Sequence, residues 1–276
     1  MKTTGHVDTM GVTFSAAFDE AHLIGWVGHF KNVGRGSHGY QRRAVSELGA
    51  VLIADGEDRM GKNLLVTGAC FQSMRDEDMP AEDFPQFCLE HGGKPTRLDL
   101  CLNMHEADTD VDMLYDLATM GLMRSRAHLD KRIKSEKENG FYVGSKKSDK
   151  FARIYDKRLE QEHFSGPKWI RVELQMRKRY ATLMTVAYAG AADKRHFINR
   201  AIQDYCDFPT SDEIQQAIRD QDGDLPLLHR KPPKFMRWLE DQVIPAMLNY
   251  QDQHPEADIL RAFSLMYHEA FNRRNR

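Results

Sequence analysis

A chain of 276 residues, 41% of them hydrophobic, can bury a substantial core, and its net charge of −2 excludes a globally basic protein. Affinity for nucleic acid would have to come from local charge. The four cysteines (Cys70, Cys88, Cys101 and Cys206) form no C-x-x-C pair, which argues against zinc, and they read as small buried residues in a reducing compartment. With no signal peptide, transmembrane run or lipidation motif, the expectation is a cytoplasmic protein that does not enter membranes.

Residues 1–11 are expected to be poorly ordered, with Val12, Thr13 and Phe14 as a first strand. A helix is predicted over 20–30, where Leu23, Trp26, Val27 and Phe30 recur at helical spacing. The glycine-rich stretch 34–39 matches no phosphate-binding loop and reads as a hairpin lead-in. Strands follow at 40–43, 50–54 and 63–67, then a helix at 69–75 and an acidic, proline-broken loop at 76–83. A short helix at 84–91 is closed by Gly92 and Gly93. In the next strand Leu98, Leu100 and Leu102 point inward while Arg97 and Asp99 point outward. The acidic stretch 106–112 lacks the glycine and closing glutamate of a calcium loop. Asp108 or Thr109 is instead expected to cap a helix over 111–120. Residues 124–139 are basic, leaning towards DNA contact. Residues 181–208 read as helices with Phe197, Ile198, Ala201, Ile202 and Tyr205 as a buried stripe. A boundary at 209 precedes two amphipathic helices at 235–250, kinked at Pro245, and 258–273.

The stretch 140–181 organises the chain. It reads as three strands, 141–144, 151–157 and 169–177, the first two joined by the turn 144–149. Ile170, Val172, Leu174 and Met176 share one face of the third, and Arg171, Glu173, Gln175 and Arg177 the other. In the second strand Ala152 and Ile154 oppose Arg153, Tyr155 and Lys157. Residues 141–181 hold eleven Lys and Arg against five Asp and Glu, the local charge a phosphate backbone requires. If these strands neighbour the one carrying Asp99, one surface collects two carboxylates suited to a hard divalent cation, several cations suited to phosphate, and the Tyr155 phenol. Tyrosine, with a reference pKa of about 10, is a poor nucleophile until activated. Exposed ion pairs such as Arg171–Glu173 or Arg97–Asp99 would look the same in sequence.

The segment from Tyr142 to Lys157, YVGSKKSDKFARIYDK, followed by WIRVELQMRKRYA from Trp169, resembles the replication initiation factor family of phages and plasmids. The resemblance takes in LVTGAC from Leu65 and TRLDL from Thr96, and covers roughly residues 8–210. It implies a rolling-circle initiator whose tyrosine, here Tyr155, nicks one DNA strand and keeps the 5′ end as a phosphotyrosine. The family's metal ligands correspond to Asp99 and Glu173, with Mg²⁺ or Mn²⁺ as the cofactor. The absence of an H-x-H pair also argues that carboxylates hold the metal. Lys157 would stabilise charge on the phosphorus, and Lys146, Lys147, Lys150, Arg153, Arg158 and Arg171 would hold DNA. The implied partners are single-stranded or melted origin DNA, a host helicase and a DNA polymerase in a bacterial cell, with a homodimer left open. Three alternatives remain: a conjugative relaxase, a non-catalytic DNA-binding regulator on the same fold, and an RNA-binding structural protein stacking bases on Tyr142 and Trp169. The expected architecture is α+β: an antiparallel sheet carries the active surface with helices on its other face. The domains are a nicking unit over 1–209 and a helical C-terminal module over 210–276.

Overall fold

The computed structural model describes residues 2–57, 59–105, 109–119, 123–125, 127–161 and 166–208. The expected boundary at 209, the module over 210–276 and its helices at 235–250 and 258–273 lie outside the described residues.

A long strand, β1 (Lys2–Phe14), precedes a short helix, α1 (Ala21–Val27). The strands β2 (Phe30–Gly34), β3 (Arg42–Ser46), β4 (Val51–Ala54) and β5 (Lys62–Val66) follow as a meander. Then come α2 (Gly68–Asp76), a 3₁₀ turn at Ala81–Asp83, α3 (Phe84–Glu90) and β6 (Lys94–His105). The next elements are α4 (Val111–Thr119), β7 (Arg124–Ser125), β8 (Leu129–Lys134), β9 (Asn139–Val143) and β10 (Lys150–Asp156). The described chain closes with α5 (Lys157–Glu160), β11 (Trp169–Arg177), α6 (Lys178–Gly190), α7 (Lys194–Tyr205) and β12 (Cys206–Asp207). Among the described residues, ten strands form one sheet in the order β2-β3-β4-β5-β1-β6-β11-β10-β9-β8. Every pairing in it is antiparallel. β7 and β12 pair separately.

The expected α+β architecture is the observed one. Leu98, Leu100 and Leu102 of β6 join Ala152 and Ile154 of β10 and Ile170, Val172, Leu174 and Met176 of β11 in the buried core. Ala181, Met184 and Tyr188 of α6 and Phe197, Ile198, Ala201 and Ile202 of α7 pack against that face. All four cysteines are free and buried. No helix of the described residues is long and apolar enough to cross a membrane.

Three expectations need correction. Residues 2–11 are not poorly ordered: they belong to β1, a central strand paired with both β5 and β6. The register slips between Val7 and Thr9. Inward residues therefore change parity, from Val7 to Met10, Val12 and Phe14, and this bulge erases the period-two pattern that marks a strand. The cap of α4 is Asp110, whose Oδ1 accepts from Met113 N at 2.9 Å, rather than Thr109; Asp108, the other expected cap, lies outside the described residues. Lys157 does not continue β10. Asp156 accepts from Arg158 N at 3.0 Å and caps α5, so Lys157 opens a helix.

Candidate active site

The site is the polar face of the central strands, laid out in cross-strand rows. Residues opposite each other in an antiparallel pair share a face. One row runs Arg153, Glu173, Cys101, His6 across β10, β11, β6 and β1. The next runs Tyr155, Arg171, Asn103, Thr4, and a third, on the other side, Phe151, Gln175, Asp99, Thr9. Asp8 stands at the bulge between the rows of His6 and Thr9. Gly140 of β9 lies opposite Tyr155, and a Cβ there would sit 2.8 Å from the Tyr155 Cβ. Only glycine lets β9 pass so close.

Tyr155 is 1% exposed. Its hydroxyl donates to Glu173 Oε1 at 2.7 Å, and Glu160 Oε2 lies 3.4 Å away. The Arg153 guanidinium lies 3.8 Å from the ring centroid and the Lys157 ammonium 5.7 Å. Lys157 is ion-paired with Glu160, and Arg153 donates to Glu138 Oε1 at 3.1 Å. Arg171, 7% exposed, spans the carboxylates. Its Nε donates to Asn103 Oδ1 at 2.7 Å and its Nη1 to Asp8 Oδ1 at 2.9 Å, with Glu173 Oε1 3.8 Å from the same nitrogen. Asp99, 4% exposed, accepts from Arg97 Nε at 3.0 Å on both oxygens and from Gln175 Nε2 at 3.0 and 3.2 Å.

The electrostatics follow from burial of like charges. Burial raises the Glu173 pKa, and the Asp8 charge adds to it, against the Tyr155 hydrogen bond and Arg171. Burial also raises Asp99, against Arg97, with Asp8 again adding. Asp8 is thus felt by both carboxylates. Burial, then the Glu173 charge, holds the Tyr155 phenol far above its ordinary range. Burial, with the charges of Arg75, Arg171 and Lys157, pushes His6 down to about 3, leaving a neutral imidazole. The carboxylates Asp8, Asp99 and Glu173 are met on this face by Arg171, Arg97 and Arg153. Their oxygens are the donor type that a hard divalent cation takes.

The structure brings Asp99, Glu173, Tyr155, Arg153 and Arg171 to one face, and places Lys157 beside Tyr155 from α5. Lys146 and Lys147 are exposed on the β9–β10 turn. Lys150 is half-buried, its ammonium 4.7 Å from the Tyr205 ring centroid, and Arg158 donates to Asp156 Oδ1 at 3.0 Å. The turn is anchored from α7: the Tyr205 hydroxyl lies 3.2 Å from Val143 O and 3.1 Å from Lys150 O. Gly144 makes room for it at φ +79°, where a Cβ would be 2.4 Å from that hydroxyl. Among the other tyrosines, Tyr142 has a cation on its ring, with the Lys146 ammonium 4.1 Å from the centroid. Tyr180 is on α6, 40% exposed. Sequence reasoning missed Asp8, His6 and Glu160. The first two were hidden with β1. Glu160 was legible from Asp156 capping a helical turn, which sets Lys157 and Glu160 three residues apart on one side.

Residues 93–262 match a model of the family described as replication initiation factor. Over 149 residues the chain is 28% identical to the candidate DNA relaxase NicK of Bacillus subtilis (strain 168). That alignment takes in 48% of this chain and 41% of NicK, so the chain spans less than half the length of that relative. The structure of a rolling circle replication initiator protein from Geobacillus stearothermophilus aligns with a TM-score of 0.63 at 19% identity, over 87% of this chain and 96% of that one. At that identity the likeness is one of fold. The family match contains β6, β10 and β11, three of the four strands that build the polar face, and more than half of the whole chain. This chain belongs to the replication initiation factor family.

Proposed function

We propose that this chain initiates rolling-circle replication as a metal-dependent DNA strand transferase, nicking one strand at an origin and holding its 5′ end on Tyr155. The observation that carries the reading is the Tyr155 hydroxyl, 2.7 Å from Glu173 Oε1 on a face that also holds Asp8, Asp99 and Arg171. Glu173 is placed to take the phenol proton. The Tyr155 Oη–phosphorus bond forms, the bond from phosphorus to the 3′ oxygen breaks, and that oxygen takes up a proton. One phosphodiester replaces another, so rejoining needs no nucleotide cofactor. A Mg²⁺ or Mn²⁺ ion held by Asp8, Asp99 and Glu173 would polarise the scissile phosphate and favour the phenolate.

The other residues take roles from their surroundings. Arg171 is buried among Asp8, Asn103 and Glu173 and positions the carboxylates rather than gripping DNA. Arg153 and Lys157 lie against the Tyr155 ring, placed to meet charge on the reacting phosphate. Lys146, Lys147 and Arg158 would follow the DNA backbone, whereas Lys150, expected to join them, stands opposite Met176 with its ammonium on the Tyr205 ring, on the helical side of the sheet. Lys150 is five residues from Tyr155 along β10, about 17 Å at strand rise, so the turn would contact phosphates several nucleotides from the cut. The freed 3′ end suits a host polymerase, and the melted origin a host helicase. The likeness to NicK favours one second reading, a relaxase acting at a transfer origin with the same chemistry.

The test is incubation with labelled single-stranded origin DNA and Mn²⁺. Wild type is expected to nick and to form a 5′-linked protein–DNA adduct. Tyr155→Phe should lose both together and keep DNA affinity, while Tyr142→Phe and Tyr180→Phe keep all three. A 5′-linked adduct on Tyr155→Phe would overturn the assignment.

A further inference from the structure

Next to the carboxylates, the same face carries a donor set of different character. His6 and Cys101 are opposite each other on β1 and β6, with His6 Nε2 3.0 Å from Cys101 Sγ. The Asp8 carboxylate joins them, and one ligating atom from each residue lies within 4.8 Å of the other two. Cys70, Cys88 and Cys206 are packed into the apolar core, whereas Cys101 is on the polar face in the row of Glu173 and Arg153. A thiol, an imidazole and a carboxylate converge there.

Sulfur and nitrogen donors select a borderline metal over Mg²⁺. Ordinary tetrahedral Zn–S and Zn–N distances set sulfur and nitrogen about 3.6 Å apart. The His6–Cys101 pair would open by only about 0.6 Å from its present spacing. Spacing along the sequence could not reveal such a site, because its ligands come from strands that meet only through the β1–β6 pairing.

We propose that His6, Asp8 and Cys101 form a binding site for Zn²⁺, and that the ion held there competes for Asp8 with the cation required for nicking. On binding, the Cys101 thiol releases its proton to solvent as the zinc–sulfur bond forms. Three protein ligands leave a fourth position open to water. Binding itself stands on the geometry; the inhibitory consequence rests on the nicking function proposed above.

Co²⁺ serves as the probe, because a cobalt–thiolate bond gives a near-ultraviolet charge-transfer band. Titration of the full-length protein without DNA should give that band at one equivalent, and Zn²⁺ should displace it. Cys101→Ser should abolish the band, and His6→Asn should weaken binding at least about tenfold. The Cys70→Ala/Cys88→Ala/Cys206→Ala protein, keeping Cys101 as its one cysteine, should retain the band, so the site stays testable if Cys101→Ser does not fold. Absence of the band in wild type, or its loss from the triple variant with the fold intact, would overturn the site. In the Mn²⁺-dependent adduct assay, Zn²⁺ should inhibit wild type and leave Cys101→Ser active. Equal inhibition of both would overturn the competition. A cobalt band in a wild-type protein that forms no adduct would sink the nicking reading and leave the metal site standing.

Discussion

Arg171 presents one guanidinium nitrogen to both Asp8 and Glu173, and it does so from a buried position. Removing the charge leaves two half-buried carboxylates facing each other, a change that costs less than the about 3–5 kcal/mol of a fully buried pair. Arg171→Gln is therefore expected to melt below wild type. Mn²⁺ should narrow that gap, because a bound cation supplies the charge the guanidinium gave. Thermal melts of both proteins with and without Mn²⁺ check this, and a gap that Mn²⁺ does not change would argue against a cation between the carboxylates. His6 sets a pH dependence at the same scale. Its folded pKa, about 3, is below the unfolded value of about 6.5. Between these values the unfolded chain binds a proton that the folded chain does not, so stability falls as pH falls, by up to about 1.4 kcal/mol per unit. Asp99 and Glu173 act oppositely: their folded pKa values are raised, so the native state binds the extra proton just above the ordinary carboxylate range. Urea unfolding of metal-free protein from about pH 7.5 to about pH 5.5 should show a wild-type decline that is flatter, by up to one proton, in His6→Asn.

At the scale of elements, the β9–β10 hairpin joins two tasks. Its far end carries Lys146 and Lys147 into solvent, and its near end carries Tyr155 into the site. The hydroxyl of Tyr205 holds the base of the turn from α7, so the hairpin is fixed from the helical side of the sheet. Lys146→Ala and Lys147→Ala should each weaken DNA binding evenly across sequences and lower the salt slope by about one unit. Nicking of saturated DNA should be unchanged, because neither side chain is near the phenol. Binding isotherms over a salt series decide it, and an unchanged slope would leave these lysines as a solvated turn. The hairpin, β6 and β11 were legible in sequence because their alternation is unbroken. Arg153 and Tyr155 on one side, and Ile154 on the other, were assigned from period two alone. The reading failed at both ends of the site where a local device interrupts that period: the Asp156 cap that turns Lys157 into α5, and the bulge after Val7 in β1.

Across the whole molecule, the polar face depends on four strands drawn from residues 2 to 177. Sequence showed the Asp99 and Glu173 strands as separate amphipathic segments, and the family resemblance supplied their common purpose. Asp8 could not be found that way. Its place beside Glu173 is a product of sheet order, with β1 on one side of β6 and β11 on the other. A cation bridging groups from these strands acts as a tertiary crosslink. Mn²⁺ at about a hundredfold over its dissociation constant should stabilise the fold by about 2.7 kcal/mol. Asp8→Asn and Glu173→Gln should each lose most of that gain, as read by calorimetry, and a full Mn²⁺ response in both would place the ion elsewhere.

The central position of β1 also bears on how the protein is made. β1 is made well before β6, yet its longest pairing is with β6, which ends at His105. Until then the nascent chain carries an extended segment with an unsatisfied backbone edge, the condition that invites chaperones and intermolecular pairing. Such a sheet, rich in distant contacts, should fold slowly. Glu173, the proposed proton acceptor, is synthesised last of the carboxylates. On the proposed mechanism, strand transfer would therefore wait until β11 has closed the sheet.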